Sequence, residues 1–192
     1  MSRRRLSGPE RRAQLLDTAR EIVASDGYAG LTIERVAGRS QVTRTVIYQQ
    51  FTDLAGLTTA LLDRESAIAF AGMSTVDVAT GDDLGRGVLA YLHAAPDSWR
   101  IILRPPDGAP AQARDRLELG RAYARRIAAR HLSLVAGETI DPDSAVPRIL
   151  LSAIEELARL HLEDPAGHPD EVVLGHLRSL VAWAATAAVT TG

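Results

Sequence analysis

The sequence predicts an all-α protein in two parts: an amino-terminal three-helix unit that contains a helix-turn-helix, then a larger helical domain. Three observations carry this. Apolar residues recur every three or four positions along most of the chain, the period of an amphipathic helix. The strict alternation of a half-buried strand is nearly absent. Two short helical patterns, residues 33–39 and 44–50, stand a few residues apart, the spacing of two helices joined by a tight turn.

The first helix is expected over residues 9–25, after a mobile basic arm at residues 1–8. Pro9 suits a first turn, because its missing N–H would have no partner there. Leu15, Leu16, Ala19, Ile22 and Val23 make one apolar stripe, and Gly27 in "SDGY" ends the helix. Thr32 can cap the second helix, with Glu34 favourably placed against its positive end. "SQV" makes the turn, and Thr43 can cap the third helix. Asp53 or Thr52 caps a fourth helix that runs toward Phe70. "AGMSTVDVATGDD" reads as a break before a helix near 84–95, and the glycines of "GDDLGRG" read as a loop. A short helical piece ends at Pro105-Pro106, since proline removes a donor and clashes with the preceding turn. Amphipathic helices are expected over 111–135, 144–163 and 170–189, giving eight or nine in all. The domains are then 1–51 (basic arm and helix-turn-helix), 52–70 (connecting helix) and 71–192.

Composition narrows the chemistry. With 192 residues and 46% hydrophobic content, the chain is long and apolar enough for a sizeable core. It has no Cys, which excludes disulfides, thiolate metal sites and Cys nucleophiles. "MSRRRLSGPERR" has no apolar run behind its basic residues, and no stretch of about 18 apolar residues occurs. A cytoplasmic protein without a membrane segment is the expectation. Residues 1–50 hold nine Arg against five acids, so they carry +4 while the rest, with a total of −2, carries −6. That asymmetry suits a polyanion partner for the first part alone, although a solvated Arg face would give the same count.

The helix-turn-helix cannot bury its own apolar faces, so the first helix supplies a third wall. Leu16, Ile22, Val36, Val42, Ile47 and Phe51 are the expected core. This leaves Arg44, Thr45, Val46, Tyr48 and Gln49 at the surface or edge of the third helix. Such a face suits the major groove: Arg to guanine or phosphate, Thr and Val to a thymine methyl, Tyr and Gln to phosphate or base edges. The helix starts at Thr32 and Thr43 offer backbone N–H groups to phosphates, and the basic arm adds salt-dependent affinity.

Residues 15–57, "LLDTAREIVASDGYAGLTIERVAGRSQVTRTVIYQQFTDLAGL", resemble the amino-terminal domain of TetR-type transcriptional repressors. The shared pattern is the helix ending at Gly27-Tyr28, then "LTIERVA", then "VTRTVIYQQF" with Tyr48 and Phe51 in the family's places. It covers under a quarter of the chain. The resemblance implies an all-α homodimer on a palindromic double-stranded DNA operator. It also implies a carboxyl-terminal domain that holds an unidentified small-molecule effector and forms the dimer. By matching positions, Thr32 and Ile33 touch the DNA backbone, Arg44, Thr45, Val46, Tyr48 and Gln49 lie on the recognition helix, and Gln50 also reaches the backbone. Three departures stand out. Gln41 occupies a turn position often held by Gly, at a cost of about 1 kcal/mol if the backbone there is left-handed. Thr45 and Val46 replace a small residue and Thr. Leu54 replaces a phosphate-binding Lys, for which the arginines of residues 3–12 would stand in.

The second domain carries no motif that names a ligand. A pocket between its central helices would use Phe70, Met73, Tyr91, Trp99, Leu103 and Tyr123, residue types that serve more often as plain core. Arg100 and Arg104, one turn apart, would meet an acidic ligand or simply pair with acids. Ile154, Leu157, Val173, Leu177, Leu180 and Trp183 form apolar stripes for a two-fold helical interface, or for intramolecular core. His161, Glu163, His168 and His176 show no tight ligand spacing, so no metal or other cofactor is expected. No nucleophile elbow, phosphate loop or dinucleotide fingerprint is present, and an enzyme is not expected. The function expected is a ligand-responsive repressor. The alternatives are a DNA-binding dimer without a ligand and, further off, an all-α enzyme.

Overall fold

The structure is a computed structural model that describes residues 6–69, 71 and 81–190. Its α-helices are α1 (Gly8–Asp26), α2 (Ile33–Ser40), α3 (Arg44–Gln50), α4 (Leu54–Ala69), α5 (Gly81–Ala94), α6 (Pro96–Ile102), α7 (Ala111–Ala136), α8 (Ala145–Glu163) and α9 (Asp170–Thr190). A single 3-10 turn at Tyr28–Gly30 follows α1. Among the described residues there is no strand, and no helix is long and apolar enough to cross a membrane.

α1 starts one residue earlier than its proline suggests, because Ser7 and Glu10 form a reciprocal capping box. The helix that sequence places at 84–95 begins at Gly81, so the glycines of "GDDLGRG" lie inside α5 and not in a loop. Packing explains Gly85. A Cβ on Gly85 would stand 3.2 Å from Leu174 and 3.7 Å from Leu177, so glycine lets α5 lie close against α9.

The chain forms two compact units. The first comprises residues up to Ala67 together with Arg104–Leu117; the second comprises Ile68–Leu103 and the residues from Glu118 onward. In the first, Leu15, Ile22, Val36, Ile47, Leu57 and Leu61 are each fully buried, and Phe51 is nearly so. Val42, expected in this core, is half-buried. The Pro-rich stretch before α7 is fastened to this unit by Arg104, whose Nη1 donates to the Ala24 carbonyl at 2.8 Å. Gly108, at φ +76°, lies so close to Ala29 that any Cβ would clash with it.

The second unit has two apolar clusters. Leu89, Leu92, Leu103, Ala158, Leu162, Val173 and Leu177 form one. Leu132, Val146, Leu150, Ala184 and Ala188 form the other.

Candidate nucleic-acid interface

The polar face of α3 is held outward by what lies beneath it. Ile47 and Phe51, four positions apart, are buried, and each such side chain contributes about 1.5–3 kcal/mol by leaving water. A buried hydrogen bond from Ser40 Oγ to Thr18 Oγ1, 2.9 Å long, joins α2 to α1. Arg12 completes the frame: its Nη1 donates to the Gln50 carbonyl at 2.6 Å and its guanidinium sits over the Phe51 ring.

The turn between α2 and α3 is left-handed at Gln41, with φ 55° and ψ 46°. The Gln41 N–H donates to the Gly38 carbonyl and the Val42 N–H to the Ala37 carbonyl, the two bonds of a Schellman closure. Gln41 is the one non-glycine residue at positive φ among those described.

With that scaffold fixed, Arg44, Thr45, Tyr48 and Gln49 are exposed, while Val46 and Gln50 are half-buried. Tyr48 is 52% exposed. The Arg44 guanidinium pairs with the Glu34 carboxylate at 3.1 Å, with both side chains largely in solvent, where such a pair is weak and easily exchanged for a phosphate. Thr32 caps α2: its hydroxyl oxygen accepts from the Arg35 N–H at 3.2 Å. Thr43 sits at the start of α3, but its side chain makes no capping bond.

Ile33 stands at the first position of α2. Its side chain is buried at 7% exposure in the three-helix core, so only its first-turn N–H, which has no acceptor within the helix, remains for a phosphate. Part of the arginine charge is used within the fold. Arg35 pairs with Asp26 and donates to the Gly30 carbonyl, and Arg39 reaches Asp26 at 4.0 Å. Hydrogen bonds from Arg35 first and then Ser25, with the charges of Arg35 and Arg39, hold the Asp26 carboxyl below its usual range. Arg11 donates to Gln14 and Arg12 is committed to α3. Several of these charges therefore brace the fold, and Arg44 is the one on the outer face of α3. Leu54 is half-buried at the head of α4, where Asp53 caps by accepting from the Gly56 N–H at 2.7 Å.

The expected effector residues are only partly brought together, Trp99 packing on the cluster that holds Leu103. Phe70 and Met73 lie outside the described residues. Trp99 Nε1 donates to the Tyr91 carbonyl at 3.0 Å, and burial pushes the Tyr91 phenol above its ordinary pKa. Leu103 is core, and Tyr123 is 53% exposed on α7. A cleft of about 520 Å3 in the second unit lies elsewhere, lined by Leu92, Pro96, Arg100, Pro165 and Pro169, together with His93, His161 and Asp170. Arg100 donates to Asp97 and to the Leu162 carbonyl. Of the expected interface stripe, Val173 and Leu177 pack inside the protomer against α5, and Ile154 and Leu157 lean on the same cluster. Leu180 leans on the second cluster, whereas Trp183 is 43% exposed.

The sequence reading missed Arg12, which no spacing rule ties to a residue 39 positions away. It also missed His93 and Asp170. His93 Nε2 lies 3.2 Å from His161 Nε2 and 3.2 Å from Asp170 Oδ1, but the three come from α5, α8 and α9. No linear motif signals them.

A family model described as bacterial regulatory proteins, tetR family, matches residues 15–61. Among solved structures, the chain is similar to a transcriptional regulator from Rhodococcus sp. Rha1, with a TM-score of 0.69 and 16% identity over 94% of this chain and 99% of that one. It is similar to a TetR-family transcriptional regulator from Streptomyces coelicolor, with a TM-score of 0.60 and 22% identity over 94% and 97%. It is also similar to the fatty acid degradation regulator FadR from Bacillus halodurans, with a TM-score of 0.65 and 13% identity over 92% and 96%. At these identities the likeness is one of fold. No curated protein matches the chain.

Proposed function

We propose that this chain, whose residues 15–61 match the model of the tetR family of bacterial regulatory proteins, is a ligand-responsive cytoplasmic repressor of transcription. Two copies of α3 in a homodimer enter successive major grooves of a palindromic operator, about 34 Å apart along one face of the duplex. The observation that carries this reading is the division between a buried anchor, Ile47 of α3 and Phe51 just after it, and an exposed face of α3, Arg44, Thr45, Tyr48 and Gln49. The anchor fixes the helix and the face meets the bases. Thr32, Thr43 and Gln50 are the flanking phosphate contacts, with the N–H of Ile33. A small molecule bound in the second unit stabilises a dimer with the wrong α3 separation, and operator affinity falls by the coupling free energy.

The test is binding to the promoter beside the chain's own gene. Arg44→Ala should weaken specific binding by about 1–3 kcal/mol if Arg44 reads a base, and should lower the salt slope by about one if it meets a phosphate. Tyr48→Phe should weaken binding without changing the thermal midpoint. Full-strength binding by both variants, or by a chain lacking residues 1–51, would contradict the reading. A small molecule that raises the melting midpoint while releasing DNA supports the effector step. Release by none of a panel of acidic and apolar compounds would favour a ligand-free DNA-binding dimer.

A further inference from the structure

We propose that His93, His161 and Asp170 form a binding site for one divalent cation of the zinc class. His93 lies on α5, His161 on α8, and Asp170 is the first residue of α9. Their ligand atoms form a triangle with edges of 3.2 Å between the two Nε2 atoms, 3.2 Å from His93 Nε2 to Asp170 Oδ1, and 3.7 Å from His161 Nε2 to Asp170 Oδ1. Two ligands held about 2.05 Å from zinc at a tetrahedral angle are about 3.3 Å apart, and a circle through this triangle has a radius of about 2.0 Å, so one ion reaches all three atoms at bonding distance.

The orientation of His161 supports the same reading. The residue is 5% exposed, and its Nδ1 lies 2.9 Å from the His168 carbonyl. A carbonyl can only accept, so Nδ1 carries the proton and Nε2 presents its lone pair to the triangle. That is the outer hydrogen bond that fixes the tautomer of a metal-binding imidazole. Two imidazole nitrogens and one carboxylate oxygen suit zinc and its neighbours. Calcium and magnesium demand oxygen-rich shells, and copper(I) prefers sulfur. The three atoms occupy one face of a tetrahedron, and the residues that carry them line the cleft beside Arg100, which leaves a fourth position for water or an anionic ligand.

The site is independent of the DNA-binding reading, because cation uptake is measured without an operator. The experiment strips the full-length chain with a chelator and titrates zinc chloride in a calorimeter, with cobalt(II) as a visible-absorption probe of coordination number. One equivalent should bind per chain, the thermal midpoint should rise because the ion joins three helices, and cobalt should give the intense bands of a four-coordinate site. His93→Ala, at an exposed position, and Asp170→Asn, at a half-buried one, should each lower zinc affinity at least about tenfold while keeping wild-type helicity. His176→Ala, a change in an exposed histidine outside the triangle, should change nothing. Absence of zinc binding at micromolar concentration would overturn the proposal. So would wild-type affinity in both His93→Ala and Asp170→Asn, which would place the ion on other histidines.

Discussion

The Arg12 guanidinium carbon lies 4.3 Å from the centroid of the Phe51 ring, and the same side chain donates to the Gln50 carbonyl at 2.6 Å. One residue of α1 therefore closes the carboxyl end of α3 twice, by a cation–π contact and by satisfying an end carbonyl. Arg12→Ala should cost about 1–2 kcal/mol, which in a chain of this size lowers the melting midpoint by several degrees. Arg12→Lys should recover only part of this, because an ammonium cannot stack and fork at once. Scanning calorimetry of the three proteins decides it, and equal midpoints would refute the bracing role.

Gln41 occupies the left-handed region at φ 55°. A side chain there costs about 1–2 kcal/mol, against which glycine loses more backbone freedom on folding. Gln41→Gly should accordingly stabilise by about 0.5–1 kcal/mol, while Gln41→Val, β-branched at a positive φ, should destabilise by more than that. Urea unfolding of both variants gives the sign. A destabilised glycine variant would mean that the Gln41 side chain contributes more than its strain costs.

The same residue marks the limit of what can be read from sequence. The helices on either side were legible from Val36, Ala37, Ile47 and Phe51, because apolar period and burial are local properties. The left-handed turn was only conditional, since glutamine does not announce a positive φ as glycine would. The glycines of "GDDLGRG" misled in the opposite sense: the reason for Gly85 is the approach of Leu174 and Leu177 from another helix, which no local pattern encodes. Val173 and Leu177 show the same loss on α9. Their stripe was visible, but whether it faced α5 or a second copy depended on packing. His93, His161 and Asp170 were invisible as a group for the same reason, being joined only by the folding of three helices.

His131 on α7 is buried, with its Nε2 unpartnered among the described residues. Burial disfavours the imidazolium and holds its pKa below the ordinary 6.5. The unfolded chain therefore takes up a proton before the folded chain does. The stability this neutral ring contributes is complete above about pH 6.5 and is lost as pH falls from there toward the folded-state value. Replacing the ring with Leu removes the titration. The melting midpoint of the parent chain should fall more steeply between about pH 7.5 and pH 5.5 than that of His131→Leu. Parallel slopes would place the acid sensitivity on other groups.

Trp183 is 43% exposed near the carboxyl end of α9, whereas Val173 and Leu177 of the same helix are sealed inside the protomer. An indole at the surface is unusual without a partner, since its large apolar area gains most from burial at an interface. Of the stripe expected for the proposed two-fold interface, Trp183 is therefore the member left at the surface of α9. Trp183→Glu should place two like charges against each other across the axis and shift the dimer toward monomer at micromolar concentration, as light scattering after size exclusion would read. Val173→Glu, by contrast, should unfold the unit. Operator affinity of Trp183→Glu should fall far more than that of Arg44→Ala, because separating the subunits removes the linkage between half-sites that makes the second contact intramolecular. A Trp183→Glu chain that remains dimeric would move the axis to another surface.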